Sequence, residues 1–439
     1  MKFFIKNYGC QMNLYDSQQM FDVLTAAGHE IVLSYENADL IILNTCSIRE
    51  KAEEKVFSDL GRLKSIEEKS SKKFIIAVTG CIAQLHSKNI IERAPYVNII
   101  LGPQDIKHIV SAISNFIKNK APVLSISSKA NQKFSQSFSK NHRINVSEFL
   151  TIQEGCNNFC AYCIVPFTRG REFSRNVTDI IAEAKQLIVT GAKEIIILGQ
   201  NVNSYNGDGP NGTKYNLPQL LYEFANIEGL KRLGYTTSHP KDVNESLAQA
   251  HKEISILTPF LHLPVQSGSD KILKLMNRRY SQREYIDCVD MLHSYRSDIA
   301  FSSDFIVGFP GETDEDFEET LKLIKKVHFA QAYSFKYNPR PNTPAAKIAD
   351  QISEDVKSTR LQILQRLLDD QQSEFNKGFI GKSLDVLFTK DGRHNNQFSG
   401  RSCYSQAVSV YDDNISIGDI TRVKITEVTS HSLIGIIER

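Results

Sequence analysis

Short apolar runs recur through the first 110 residues, separated by longer amphipathic stretches. Four are strand-length: PhePheIleLys from Phe3, LeuIleIleLeu from Leu40, PheIleIleAlaVal from Phe74 and ValAsnIleIleLeu from Val97. Helical patterns such as residues 48–63 lie between them. Alternating strands and helices predict a parallel α/β sheet domain over residues 1–117. The same alternation resumes from residue 148, with candidate strands at 149–153, 194–198, 232–237, 260–264, 303–307 and 332–337. Six consecutive strand–helix units predict a partial (β/α)6 barrel over 148–372, with its working residues at the strands' C-terminal ends. Residues 314–327 carry acidic groups first and lysines last, as a helix macrodipole favours. From residue 373 the period changes to two, in 383–388, 406–411 and 420–428. That pattern and its glycine punctuation predict a small antiparallel β-barrel over 373–439. The fold class is therefore α/β: sheet domain, partial barrel, then a small closed β-barrel.

The segment between the first two units differs. Residues 111–147 contain no acidic residue but include Lys118, Lys120, Lys129, Lys133, Lys140 and Arg143, amid serines. Residues 118–147 read as a basic, serine-rich linker, which is also suited to following a phosphate backbone. Over the whole 439 residues, 52 lysines and arginines face 50 aspartates and glutamates, so the chain is no generic polycation. Any nucleic-acid binding has to come from local charge. The C-terminal barrel's basic and acidic residues nearly balance and settle nothing. No apolar run approaches the roughly 20 residues needed to cross a bilayer. The N-terminus has too short an apolar stretch for a signal peptide. A cytoplasmic protein without a membrane partner is expected, and a monomer.

Eight cysteines in such a chain point to metal or redox chemistry rather than disulfides. Cys156, Cys160 and Cys163 lie just after the first barrel strand, in IQEGCNNFCAYCIVPFTRG. Three thiolates from one tight loop leave a fourth coordination position open, as an iron-sulfur cube with an exchangeable ligand requires. A zinc site completed by Cys288 or a histidine is the rival. Cys10, Cys46 and Cys81 are spaced by 36 and 35 residues, and each follows a predicted strand. That spacing is the period of the α/β fold, so the three thiols are expected at one edge of the sheet. Cys288 and Cys403 have no partners in sequence and read as structural.

The CxxxCxxC motif after a first barrel strand resembles the radical S-adenosylmethionine (SAM) enzymes. Two cysteine triads followed by a small β-barrel resemble, over essentially the whole chain, the methylthiotransferases of that superfamily. Within them, NTCSIREKAEEKVFSDLGRL, IQEGCNNFCAYCIVPFTRGREFSR, ILGQNVNSY and LPVQSGSD are closest to members that methylthiolate N6-(dimethylallyl)adenosine beside the tRNA anticodon. The alternatives within the family are a threonylcarbamoyl-adenosine in tRNA or an aspartate of a ribosomal protein. Outside it, the alternative is a zinc-stabilised RNA-binding protein. The resemblance implies that Cys156, Cys160 and Cys163 hold a radical-generating 4Fe-4S cluster and that Cys10, Cys46 and Cys81 hold an auxiliary one. It implies SAM as cofactor, an electron donor of the flavodoxin or ferredoxin type, and a C-terminal barrel similar to the RNA-binding TRAM domain. Gln200, Asn201, Gln266, Ser267, Gly268, Gly308 and Glu312, at strand ends, are the expected SAM contacts. Asp304 reads equally as a structural hydrogen-bonding residue. Arg169, Arg171 and Arg175, beyond the cysteine loop, are the expected RNA contacts.

Overall fold

The computed structural model describes residues 1–47, 50–69, 72–127, 145–430 and 432–438. Lys129, Lys133, Lys140 and Arg143 of the basic segment lie outside the described residues.

The N-terminal unit is one parallel sheet of β1 (Lys2–Asn7), β2 (Glu30–Ile31), β3 (Leu40–Thr45), β4 (Ile75–Gly80), β5 (Ile99–Leu101) and β6 (Val123–Ser125). Their order is β2-β1-β3-β4-β5-β6. Helices cover both faces, so β3 is buried along its whole length and reads as a continuous apolar run. On one face Ile41, Leu43, Ile76 and Val78 pack with Val56, Leu60 and Ile82, from α2 (Glu50–Lys69) and α3 (Cys81–Arg93). On the other, Phe3, Ile42 and Leu101 meet Met20 and Leu24 of α1 (Gln11–Ala26) and Ile109 and Ile113 of α4 (Ile109–Asn119). The sheet extends past the expected boundary: β6 falls inside the segment read as linker. Only three residues long, with Leu124 half-exposed, it lacks the apolar period that marks the other strands.

Six parallel strands follow in two groups of three. β7 (Ser147–Thr151), β8 (Glu194–Leu198) and β9 (Arg232–Tyr235) form one, and β10 (Phe260–His262), β11 (Ala300–Val307) and β12 (Gln331–Lys336) the other. A single parallel bridge, Leu233 to Leu257, links them. β7 and β12 are outer strands of these sheets, and the barrel is open between them. Helices α5 (Val177–Val189), α6 (Leu217–Ala225), α7 (Glu245–Glu253), α8 (Gln282–Tyr295), α9 (Asp314–Val327) and α10 (Glu354–Lys377) follow the strands in turn. Asn216, Ser281 and Thr313 close capping boxes with Gln219, Glu284 and Asp316, starting α6, α8 and α9 where the sequence turns amphipathic.

The C-terminal unit is a closed five-stranded barrel of β13 (Ser383–Asp391), β14 (Gln397–Ser402), β15 (Ala407–Tyr411), β16 (Ile420–Val428) and β17 (Leu433–Ile437) around Val386, Phe388, Val408, Val410, Val423 and Leu433. Alternation marks three of these strands and misses β14 and β17, which are glycine-interrupted. Gly400 on β14 is required: a Cβ there would lie 2.4 Å from the Leu387 carbonyl oxygen. No helix among the described residues is long and apolar enough to cross a membrane.

Arg232, at the start of β9, holds this barrel against the larger one. Its buried guanidinium donates to the Arg401 and Asp385 carbonyls at 2.9 and 3.0 Å and lies 3.8 Å from Glu194. Arg232→Ala strands those acceptors and an internal carboxylate, at a cost of about 3–5 kcal/mol. Limited proteolysis of that variant is expected to release the C-terminal barrel much faster than in the parent protein. Unchanged cleavage kinetics would rule out this role.

Candidate active site

β1, β3 and β4 are neighbours in the sheet, and each ends at a cysteine. Cys10 precedes α1, Cys46 follows β3 directly and Cys81 opens α3, so all three thiols stand at one C-terminal sheet edge. The chain order reverses between β1 and β3, where open α/β sheets bind ligands. A buried polar layer fixes these strand ends. Asn13 Nδ2 donates to the Thr45 carbonyl at 2.8 Å, Asn44 Nδ2 to the Asn13 carbonyl at 2.8 Å, and Thr45 Oγ1 to the Thr79 carbonyl at 2.6 Å. Gly80, at φ +90°, allows the close approach of β4 to β3; a Cβ would sit 2.4 Å from the Thr45 oxygen. The hydrogen bond from Cys46 brings the Cys10 thiol down to about 6 against the opposing effect of burial, with help from Arg169. Burial pushes Cys81 up, with Arg169 opposing it.

The second triad is folded by its own loop. The Cys163 N–H donates to the Cys160 carbonyl at 2.9 Å, and Phe159 adopts φ +49° to make the turn. Arg278, buried, braces it: Nη1 donates to Cys160 Sγ at 3.5 Å and Nη2 to the Pro264 carbonyl at 2.6 Å. Gln153 Oε1 accepts from the Gln200 and Asn201 N–H groups at 2.9 and 3.2 Å, tying the end of β8 to the start of the cysteine loop. Burial raises Cys156, and burial together with Cys160 takes Cys163 to about 12. Neither Arg278 nor Gln153 stands in a spacing pattern that would reveal it in sequence.

Both triads open onto one cavity of about 1710 Å³ that runs through the partial barrel to the C-terminal unit. All six thiols line it. Among the described residues no three His, Cys, Asp or Glu side chains are grouped to chelate a single metal ion. Three soft sulfur donors in each triad suit an iron-sulfur cluster.

Of the expected SAM contacts, Gln200 and Gln266 line the cavity. Gln266 does so from φ +76°, a strained conformation held by backbone bonds to Asp304 and Ile306. The other five are not among its lining residues and make contacts within the loops. Asn201 Nδ2 donates to Asp242 at 2.7 Å. Ser267 and Gly268 pack on Thr320 of α9, and a Cβ on Gly268 would lie 2.6 Å from Thr320 Cα. Glu312 accepts from the Gly308 N–H and from Arg360, both at 2.7 Å. Asp304 faces the cavity, 3.5 Å from His262, whose Nδ1 is 2.8 Å from Ser302 Oγ.

The three arginines also divide. Arg175 is buried, pairing with Glu183 and donating to the Thr151 carbonyl at 2.7 Å. Arg169 is buried as well. It pairs with Glu154 of its own barrel and, at 2.7 Å, with Asp16 of α1 in the sheet domain. Both are internal ion-pair residues, and only Arg171 stays on the surface, beside the exposed Phe159 ring. A sequence shows local charge; it does not show which carboxylates the fold brings to meet it.

Comparison with known proteins agrees with this anatomy. Residues 2–102 match the uncharacterized protein family UPF0004, residues 150–324 the Radical SAM superfamily and residues 377–437 the TRAM domain. The chain is 49% identical to the tRNA-2-methylthio-N(6)-dimethylallyladenosine synthase of Bartonella bacilliformis, over 99% of this chain and 96% of the relative. It belongs to that family. The synthase of Agrobacterium fabrum is 48% identical over 98% of this chain and 96% of its own. Among solved structures, the radical SAM methyltransferase TsrM from Kitasatospora setae shares the fold at TM-score 0.55 and 12% identity, covering 79% of this chain and 77% of that one. The cobalamin-dependent radical enzyme OxsB superposes at TM-score 0.53 and 12% identity, over 84% of this chain and 56% of that one. Membership in the synthase family settles the chain as a radical SAM enzyme with a C-terminal TRAM domain.

Proposed function

We propose that this protein is a transferase that converts N6-(dimethylallyl)adenosine, 3′ of the tRNA anticodon, to its 2-methylthio derivative. Near-half identity to synthases of that name, over nearly the whole chain, supports the substrate. The observation that carries the chemistry is that two separate thiol triads share one cavity. Cys156, Cys160 and Cys163 hold the cluster to which SAM binds, and Cys10, Cys46 and Cys81 hold an auxiliary 4Fe-4S cluster. When bound, these groups supply the radical that activates C2 and the methylated sulfur that replaces its hydrogen.

The chain's own residues position, shield and balance charge. Arg278 braces Cys160, and the Gln153–Gln200–Gly155 bonds hold the loop's entry. Gln266 and Gln200 present polar groups for SAM. The Asn13–Asn44–Thr45 layer holds the other triad's strand ends in register. Helices cover the barrel's outer face, and the C-terminal barrel lines part of the cavity. An external one-electron donor of the flavodoxin or ferredoxin type is required, and we place the enzyme in the cytoplasm as a monomer.

Nucleoside mass spectrometry of tRNA from a strain lacking this chain tests the assignment. The dimethylallyl nucleoside is expected to accumulate and its 2-methylthio form to disappear, with restoration by the intact gene. Persistence of the methylthio form would refute it, as would loss of a threonylcarbamoyl derivative instead.

A further inference from the structure

We infer that the outer tip of the cysteine loop, with Phe159 at its centre, docks a small acidic one-electron carrier protein. This rests on the external electron donor proposed above and names where its electron enters. Of residues 153–165, only Asn157 and Phe159 are exposed. Neither lines the cavity, so the loop tip faces solvent outside it. Phe159 is 43% exposed and immediately precedes the buried Cys160 in the chain. An electron arriving at the ring is therefore beside a cluster ligand. One electron leaves the reduced carrier and enters the cluster held by Cys156, Cys160 and Cys163. The carrier is oxidised by one electron, the cluster is reduced by one, and no bond or proton is exchanged.

The tip is braced from the neighbouring turn. Phe159 at φ +49°, Asn277 at +58° and Arg279 at +59° all take left-handed backbone, which is uncommon outside glycine. Asn277 Nδ2 donates to the Asn158 and Phe159 carbonyls at 3.3 and 3.0 Å, and the Ala161 N–H to the Met276 carbonyl at 2.9 Å. These bonds fasten the turn after the short helix Asp270–Leu275 against the cysteine loop. That turn carries the exposed Lys274, Leu275 and Arg279, and the Arg171 guanidinium lies 5.8 Å from the Phe159 ring. None of these three cations pairs with a carboxylate among the described residues. In a chain whose charges nearly balance, they are a local positive excess beside two exposed apolar side chains. Such a patch calls for an acidic protein, steered by charge and seated on an apolar centre. Its small size suits a transient redox encounter, the class with the smallest protein interfaces. The tRNA fits it less well. Its reacting base has to enter the cavity, which none of these side chains lines, and Leu275 offers a phosphate backbone nothing.

The test uses anaerobic protein with its clusters reconstituted. It compares reduced flavodoxin and reduced ferredoxin, acidic carriers that must dock, with dithionite, which need not. Stopped-flow absorbance follows bleaching of the cluster, and calorimetry follows binding of the oxidised carriers. Lys274→Glu/Arg279→Asn is expected to slow reduction by the better carrier about 10-fold at low salt and to remove most of its salt dependence. Dithionite is expected to reduce this variant at the parent's rate, and its affinity for an anticodon stem-loop is expected to stay at the parent's. Phe159→Asn, which keeps a residue tolerant of left-handed backbone, is expected to weaken carrier binding while its salt dependence remains. Parent-like reduction of the double variant by the carrier overturns the proposal, and so does an equal loss with dithionite. Loss of stem-loop affinity with carrier reduction intact assigns the patch to RNA and overturns it as well. If dithionite reduces the parent and neither carrier does, there is no docking face. If dithionite also fails, the reading of Cys156, Cys160 and Cys163 as a cluster site has itself failed, an outcome distinct from the others.

Discussion

Cys160→Ala is expected to abolish formation of 5′-deoxyadenosine from SAM, and with it all methylthiolation. Cys46→Ala is expected to abolish methylthiolation while leaving SAM cleavage measurable. The contrast follows from the separate origin of the triads. Cys160 belongs to a loop that Arg278 and the Ala161–Met276 bond fasten to the barrel. Cys46 belongs to a strand end of the other sheet, between Cys10 and Cys81. Each variant removes one of three ligands from one site and leaves the other site's scaffold whole. Iron and sulfide assays of anaerobically reconstituted protein supply the independent check, with each variant holding about half the parent's iron. If Cys46→Ala thiolates tRNA at the parent's rate, the sheet-edge triad is not a working site. If it loses all SAM cleavage, the two sites are not separable as described.

Arg169→Met is expected to cost about 3–5 kcal/mol and to loosen the sheet domain from the barrel. The guanidinium is almost completely buried, 2.7 Å from Asp16 on one domain and bonded to Glu154 on the other. Removing it leaves two buried carboxylates without the cation they share. It also removes the cation beside Cys10 and Cys81. Arg169→Lys keeps a charge but cannot fork between two carboxylates, so an intermediate loss is expected. Denaturant midpoints for Arg169→Met, Asp16→Asn and the double variant give the coupling. Losses that simply add would show that the pair does not join the domains. A change in the auxiliary cluster's spectrum or potential in Arg169→Lys, with the barrel cluster unaltered, is the accompanying signature of a positioning role.

The six cysteines were legible in sequence because chain spacing and fold period coincide. Cys10, Cys46 and Cys81 repeat at the length of one strand–helix unit, and in a parallel sheet that repeat alone returns the chain to the same edge. Cys156, Cys160 and Cys163 are close enough in the chain that one loop gathers them. The three-part architecture was legible for a similar reason: the apolar period changes where the units change. β6, β14 and β17 were not, since each is short or interrupted by glycine and its pairing is set by strands distant in the chain.

The sequence by itself determined where the six thiols fall relative to the strands and in which order the units are built, because both depend on spacing along the chain. Only the tertiary structure decided that the two triads face one cavity and that Arg169 and Arg175 are internal struts. It alone showed Gly268 and Glu312 supporting loops. The physical reason is that burial and pairing are properties of what two distant segments do to each other. Asp16 and Arg169 are 153 residues apart, and no local pattern of charge or hydrophobicity announces that they meet.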